Sequence, residues 1–145
     1  MEAYVDNGLI HYSVDPGGIP APGETWFSDV ATPEELAAVF PGYTAAMQAR
    51  AMESLKATYT RAAQMFMDGV VGLKGYDGIL SLCSYATSTN PSFRAQAQAG
   101  VVWRDAVWTE GYSILAQIQA GTMAPPASTE AFLNMLPLIA WPTEP

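Results

Sequence analysis

The stretch that decides the fold is residues 75–112, GYDGILSLCSYATSTNPSFRAQAQAGVVWRDAVWTEGY. It holds two of the four tryptophans, three of the seven tyrosines and the only cysteine. In its second half, an Asn oxygen at Asn90 can cap free N–H groups, and Pro91 suits the first helical position. A long helix is therefore predicted from about Ser92 to Gln119, where Gly121 and the following prolines supply a stop signal. Its length would be roughly 40 Å at 1.5 Å per residue.

The polar face of this helix is narrow. Its members recur at helical spacing: Arg94, Gln98, Asp105, Thr109, Ser113 and Gln117. The rest of the circumference is largely apolar, with residues such as Phe93, Ala97, Val101, Val107, Trp108, Leu115 and Ile118. A helix that is apolar around most of its surface must be covered on more than one side. We expect it to be the central element of the fold, or to be covered by another protein.

Working outward, helix signals occur on both sides of this stretch. Thr32 and Pro33 with Glu35 form a capping-box start for a short helix that ends near Phe40. A second helix is predicted from Tyr43 to about Gly69, with a stripe at helical spacing formed by Tyr43, Met47, Ala51, Leu55, Tyr59, Ala62 and Phe66. Residues 76–85 and 128–136 predict two shorter helices.

The first 31 residues have a different character. Residues 3–5 and 9–14 flank Asp6-Asn7-Gly8, which is typical of a β-hairpin with a tight primed turn. Residues 15–31 are rich in Pro and Gly, as in a linker. We therefore predict two parts: a β-hairpin and extended linker over 1–31, and an α-helical domain over 32–145. The fold class is mainly α, a helical bundle around a long central helix with a small N-terminal β-hairpin.

Charge is distributed unevenly along the chain. Residues 1–49 carry seven acidic residues and no Lys or Arg, so almost all of the net charge of −8 lies there. An acidic front repels phosphate backbones, and we expect no nucleic-acid partner. The start, MEAYVDNG, does not resemble a secretory signal, and uncharged runs such as 131–143 are too short to span a bilayer. We expect no membrane association.

Residue types that carry catalysis or bind metals are sparse. His11 is the only histidine, so no multi-His metal site and no cofactor are expected. Cys83 lies in an apolar run, which favours a buried, inert thiol over a reactive one. The pair Asp77 and Asp105 could do acid–base work, but Arg104 or Arg94 offers either carboxylate a simpler role in an ion pair. We predict no catalytic residues and no enzyme activity.

The most unusual local feature is Arg104-Asp105 between two tryptophans. Arg104 falls on the apolar side of the helix, so its charge should be paired, for example with Asp77, or stacked on an aromatic ring. A buried network that fixes helix packing is favoured over ligand recognition. The predicted structural network consists of Tyr76, Asp77, Trp103, Arg104, Asp105 and Trp108.

These residues resemble a family of tailed-phage proteins associated with tail fibres. The matching features lie within residues 69–142: Gly75-Tyr76-Asp77, Cys83-Ser84-Tyr85-Ala86, Asn90-Pro91 with Phe93, Trp103-Arg104-Asp105-Ala106, Trp108, Tyr112, Leu136-Pro137 and Trp141-Pro142. The segment from Glu34 to Tyr43 also looks like the entry of tail fibre assembly proteins. The N-terminal part is shorter here than the family usually carries.

The resemblance implies an accessory protein that binds a phage tail fibre in the host cytoplasm and helps it fold and trimerise. Its N-terminal β part would contact the fibre, with apolar candidates at Tyr4, Ile10, Tyr12, Trp26 and Phe27. An alternative is a structural component of the virion tail, fibre or baseplate that contacts other tail subunits. The sequence leaves a homo-oligomer open.

Overall fold

The structure is a computed structural model that describes residues 2–6, 9–13, 26–28, 32–39 and 42–143, with only the backbone given for the strands. The chain divides into two compact units, Met1–Glu53 and Ser54–Pro145. Most described residues are helical, which confirms the mainly α fold class. The predicted boundary after residue 31 stays a prediction.

The first unit contains three strands, β1 (Glu2–Asp6), β2 (Leu9–Ser13) and β3 (Trp26–Ser28), and helix α1 (Pro33–Val39). The sheet order is β2-β1-β3, with both pairings antiparallel and Tyr4 opposite His11 and Trp26. The turn residues Asn7 and Gly8, and residues 14–25 and 29–31, lie outside the described residues, while β3 falls within the predicted linker, 15–31. The β-hairpin with its primed turn, and the linker, therefore stay predictions.

Helix α2 (Tyr43–Gly72) begins in the first unit and continues into the second. Its buried face in the second unit consists of Tyr59, Ala63, Met67 and Val71. Beyond Tyr59 the buried residues recur every four positions, whereas the predicted stripe continued with Ala62 and Phe66. Helix α2 also runs past the predicted end near Gly69.

A side chain of α2 holds the start of helix α3 (Ile79–Ser84). The carboxylate Oδ1 of Asp68 accepts a hydrogen bond from the Ile79 N–H at 2.8 Å, and Gln64 Nε2 donates to the same carboxylate at 3.1 Å. Asp68 thus satisfies a free N–H of the first turn of α3, as an N-cap residue would. A 3₁₀ turn at Tyr85–Thr87 follows α3.

Helix α4 (Pro91–Gln119) has the predicted length and caps. Asn90 Oδ1 accepts hydrogen bonds from the N–H groups of Ser92 and Phe93, at 2.9 and 3.2 Å. Gly121, with φ of 75°, follows its end. Seven buried positions run along the helix: Ala97, Gly100, Trp103, Val107, Gly111, Ile114 and Leu115. They make α4 the largest contributor to the core of the second unit among the described residues.

Each neighbour packs on α4 through a particular contact. The edge of Phe66 from α2 meets the Trp103 ring, with centroids 5.8 Å apart. Leu82 from α3 lies against Gly100. Helix α5 (Thr129–Leu133) begins at a Ser128 cap and places Phe132 beside Gly111. Phe132 also stacks on Tyr59 of α2 with centroids 4.0 Å apart, so α2, α4 and α5 share one core.

We predict that Gly100→Ala destabilises the protein. A Cβ at residue 100 would lie 2.4 Å from Cδ2 and 2.9 Å from Cγ of Leu82, which is itself fully buried. Overpacking of this kind costs about 1–3 kcal/mol and should outweigh the helix-propensity gain of about 1 kcal/mol. The free energy of unfolding, measured by urea denaturation, should fall.

The matched control is Gly111→Ala on the same helix. Its Cβ would meet Phe132 Cζ at 3.9 Å, an ordinary van der Waals distance, so the propensity gain should dominate and stability should rise. Equal stabilisation by both substitutions would show that α3 does not approach α4 as closely as the structure has it.

Candidate functional site

The site is organised by Trp103, which is only 3% exposed. Its indole Nε1 donates a hydrogen bond to the backbone carbonyl of Pro137 at 2.7 Å. Residues 133–136 form a tight turn that closes helix α5. The hydrogen bond from Trp103 then holds the chain beside the middle of α4. Trp103 therefore ties the C-terminal segment, residues 137–143, to α4. We call this segment the C-terminal strap.

A groove of about 360 Å³ lies between α4 and the strap. We call it the α4 groove, and its apolar walls comprise Ala99, Val102 and Ala106 on one side and Pro137, Leu138 and Ala140 on the other. Val102 and Leu138 are 71% and 82% exposed. A surface that groups exposed apolar side chains in a concavity is typical of a protein-interaction site.

A second groove, of about 440 Å³, lies at the start of α4. It is lined by residues of the first turns, including Pro91, Ala95 and Gln96, and by Pro142 and Thr143 of the strap. Along α4 the second groove comes first and the α4 groove follows, whereas along the strap the residues of the α4 groove come first. The strap thus runs antiparallel to α4.

The far end of the strap is held by a cation–π contact. Lys74 Nζ, just beyond the end of α2, lies 5.6 Å from the centroid of the Trp141 ring. Contacts of this kind contribute about 0.5–1 kcal/mol where solvent reaches them. Trp141 itself is half-buried.

The predicted network residues separate into several contacts. Arg104 pairs with its neighbour Asp105, with Nη2 2.8 Å from Oδ1, and this bond raises the pKa of Arg104 further above its ordinary value. The partner of Arg104 is therefore Asp105 and not the predicted Asp77, which is exposed. The Arg104 side chain is one-third exposed, so the pair lies at the surface of α4 rather than inside the core.

Tyr76 belongs to an aromatic row near the start of α4. Its hydroxyl donates to Gln96 Oε1 at 2.7 Å, and its ring edge meets Tyr85, which in turn meets Phe93. Burial, and then the neighbouring Tyr85, raise the pKa of Tyr76. Trp108 lies apart from this row, with its ring centroid 6.1 Å from that of Tyr112.

The thiol of Cys83 is partly covered. Burial raises its pKa, and the nearby Arg104 guanidinium opposes that shift. A raised pKa keeps the thiol protonated at neutral pH, which is the state expected of an unreactive cysteine.

The five predicted partner-binding residues fall on the strands by position. Tyr4 lies in β1, Ile10 and Tyr12 in β2, and Trp26 and Phe27 in β3. Their side chains lie outside the part of the chain that the structure describes, so their role stays a prediction.

The α4 groove was not foreseen, although the sequence carries a signal for it. Gln98, Asp105 and Thr109 define a polar face at spacings of seven and four residues. Position 102 falls on the same face and is Val, an apolar residue where the pattern calls for a polar one. The opposite wall could not be predicted, because the strap has no periodicity that would place it on α4.

No family model matches the sequence, and no curated protein and no solved structure matches it. Within the described ranges, no three His, Cys, Asp or Glu residues group as a metal site, and no helix is long and apolar enough to cross a membrane.

We predict that two neighbouring residues differ strongly in how much they contribute to the free energy of unfolding. Trp103→Ala removes a buried ring and leaves the Pro137 carbonyl without its donor, and should lower the free energy of unfolding by about 3–5 kcal/mol. Arg104→Ala removes an exposed ion pair and should cost less than about 1 kcal/mol. Urea denaturation followed by circular dichroism measures both. A larger loss for Arg104→Ala would contradict the surface placement of its ion pair.

Proposed function

We propose that this protein is a phage tail fibre assembly chaperone, which binds a tail fibre and assists its folding. The observation that carries a binding function is the α4 groove, whose apolar walls include the exposed Val102 and Leu138. The tail fibre as partner comes from the sequence resemblance over residues 69–142.

The groove suits an apolar client. Its lining is mostly Ala, Val, Pro and Leu, with Gln98 as the polar member, so it offers few hydrogen-bond partners and no charge. An interwoven fibre exposes apolar segments and unpaired strand edges before its three chains assemble. A surface of this chemistry would cover such a segment until trimerisation buries it.

The acidic first 49 residues support the same function by a different route. A charge of −7 on a chaperone bound to an apolar client repels other complexes and keeps them apart in solution. The same charge would attract a basic client surface and accelerate encounter at low salt. Binding would then weaken as ionic strength rises.

A structural component of the virion tail is the second candidate. The same α4 groove favours it, since a permanent neighbour could fill the apolar walls as well as a transient client. The two functions differ in where the protein ends up. A chaperone is released or is present below the stoichiometry of the tail, whereas a structural subunit is found in a fixed ratio in purified particles.

The test is co-expression of the full chain with the tail fibre protein whose gene neighbours its own. The fibre should become soluble and co-purify with the chain, and Val102→Asp should reduce the recovered complex at least about tenfold, because a carboxylate cannot be buried against an apolar client without a partner. Pull-down followed by mass measurement gives both yield and stoichiometry.

The matched control is Met65→Asp on the exposed side of α2. Met65 is 67% exposed against 71% for Val102, and both lie in the interior of long helices. Met65→Asp should leave the complex unchanged, and both variants should keep the helical circular dichroism of the parent. A fibre that folds alone and does not bind the chain would contradict the chaperone function. Equal loss with both variants would contradict the α4 groove as the contact.

A further inference from the structure

The C-terminal strap lies on α4 in the manner of a bound peptide. The strap begins at Pro137, which is bonded to Trp103, and reaches the first turns of α4, where Pro142 and Thr143 line the second groove. From Trp103 to Ser92 the helix rises about 16 Å. The step from Pro137 to Pro142 covers about 17 Å when the chain is extended. The agreement indicates a strap that follows the helix in an extended conformation.

Side chains, and not a backbone ladder, hold the strap. The Pro137 carbonyl accepts the Trp103 N–H, while residues 138–143 make no backbone hydrogen bond to another described residue. The other anchor is the Trp141 ring under Lys74. Grooves lined by aromatic side chains hold extended, proline-rich ligands in a similar way, without a backbone ladder.

We infer that the strap occupies a peptide-binding site in cis, and that an extended, apolar, proline-containing segment of the partner displaces it. This inference rests on the proposed function and names the client segment by its chemistry. The strap sequence, PLIAWPT, is uncharged and has two prolines. The occupant that replaces it must meet the same walls, namely Ala99, Val102 and Ala106, and the same Trp103 donor.

The weak anchoring of the strap sets how the site would be regulated. An occupant joined to its own site competes at a high effective concentration. The apparent affinity for a partner segment is reduced by the fraction of molecules in which the strap is open. The strap lies beside the apolar wall without covering Val102, which stays 71% exposed, and a client of the same chemistry displaces the strap from Trp103.

The experiment measures binding of a labelled peptide, LPLIAWPT, to the full-length chain by fluorescence anisotropy. Trp141→Ala weakens the strap but not the site, and should increase the affinity for the peptide about tenfold through the larger open fraction. Lys74→Ala removes the cation from the Trp141 contact. Because the Trp of the peptide takes the place of Trp141 under Lys74, this substitution weakens strap and peptide alike and should leave the affinity within about twofold of the parent value.

Controls separate displacement from general loosening. Leu73→Ala, at an 89% exposed residue beside Lys74, should leave the affinity unchanged. A peptide with Asp in place of the residue equivalent to Ile139, which is half-buried in the strap, should bind at least about tenfold more weakly, since its carboxylate would lose solvent against apolar side chains. Trp141→Ala that lowers the melting temperature without tighter peptide binding would overturn the inference and make the strap a purely structural element.

The peptide measurement contains no fibre, so the two proposals can fail separately. Loss of fibre co-purification with an intact peptide result would contradict the proposed function alone. A fibre complex that forms normally, with peptide affinity unaltered by Trp141→Ala, would overturn the strap inference alone.

Discussion

The second unit depends on one buried side chain, the indole of Trp103. Its ring packs against Phe66 of α2, its Nε1 bonds the Pro137 carbonyl, and its own helix supplies the apolar wall that includes Val102. A buried indole N–H requires a partner, and here the partner is a backbone carbonyl that no helix or strand uses. The same bond that completes the core therefore also positions the strap and creates the α4 groove.

Apolar surface is usually hidden in the core, yet this protein keeps Val102 and Leu138 open near Trp103, the most buried tryptophan among those whose side chains are described. The groove they share has walls of small and apolar side chains, a form suited to an extended polypeptide rather than to a charged ligand. A strap held by one carbonyl bond and one cation–π contact is easier to displace than a strand in a sheet. These features suit a binding role in which a client meets the exposed Val102 and displaces the strap.

Local signals made α4 predictable from the sequence. The Asn90 cap, Pro91 and Gly121 all act within a few residues of the helix ends that they define. The start of α3 was not predictable in the same way, because its cap is Asp68, which reaches from another helix. The partner of Arg104 was missed for a related reason: a side chain on the apolar side can turn outward and pair with its neighbour Asp105. Of the groove, only Val102 left a signal in the sequence.

The most direct test of the account is fluorine NMR of the full chain labelled with 5-fluorotryptophan, recorded while the fibre protein is added. Each tryptophan gives one resonance, assigned by single Trp→Phe substitutions. Displacement of the strap predicts that the Trp141 resonance moves to the position of a solvent-exposed indole at saturation, that Trp103 shifts as its acceptor changes, and that Trp108, which lies outside the groove, stays in place. A saturated complex in which Trp141 does not move would contradict the account.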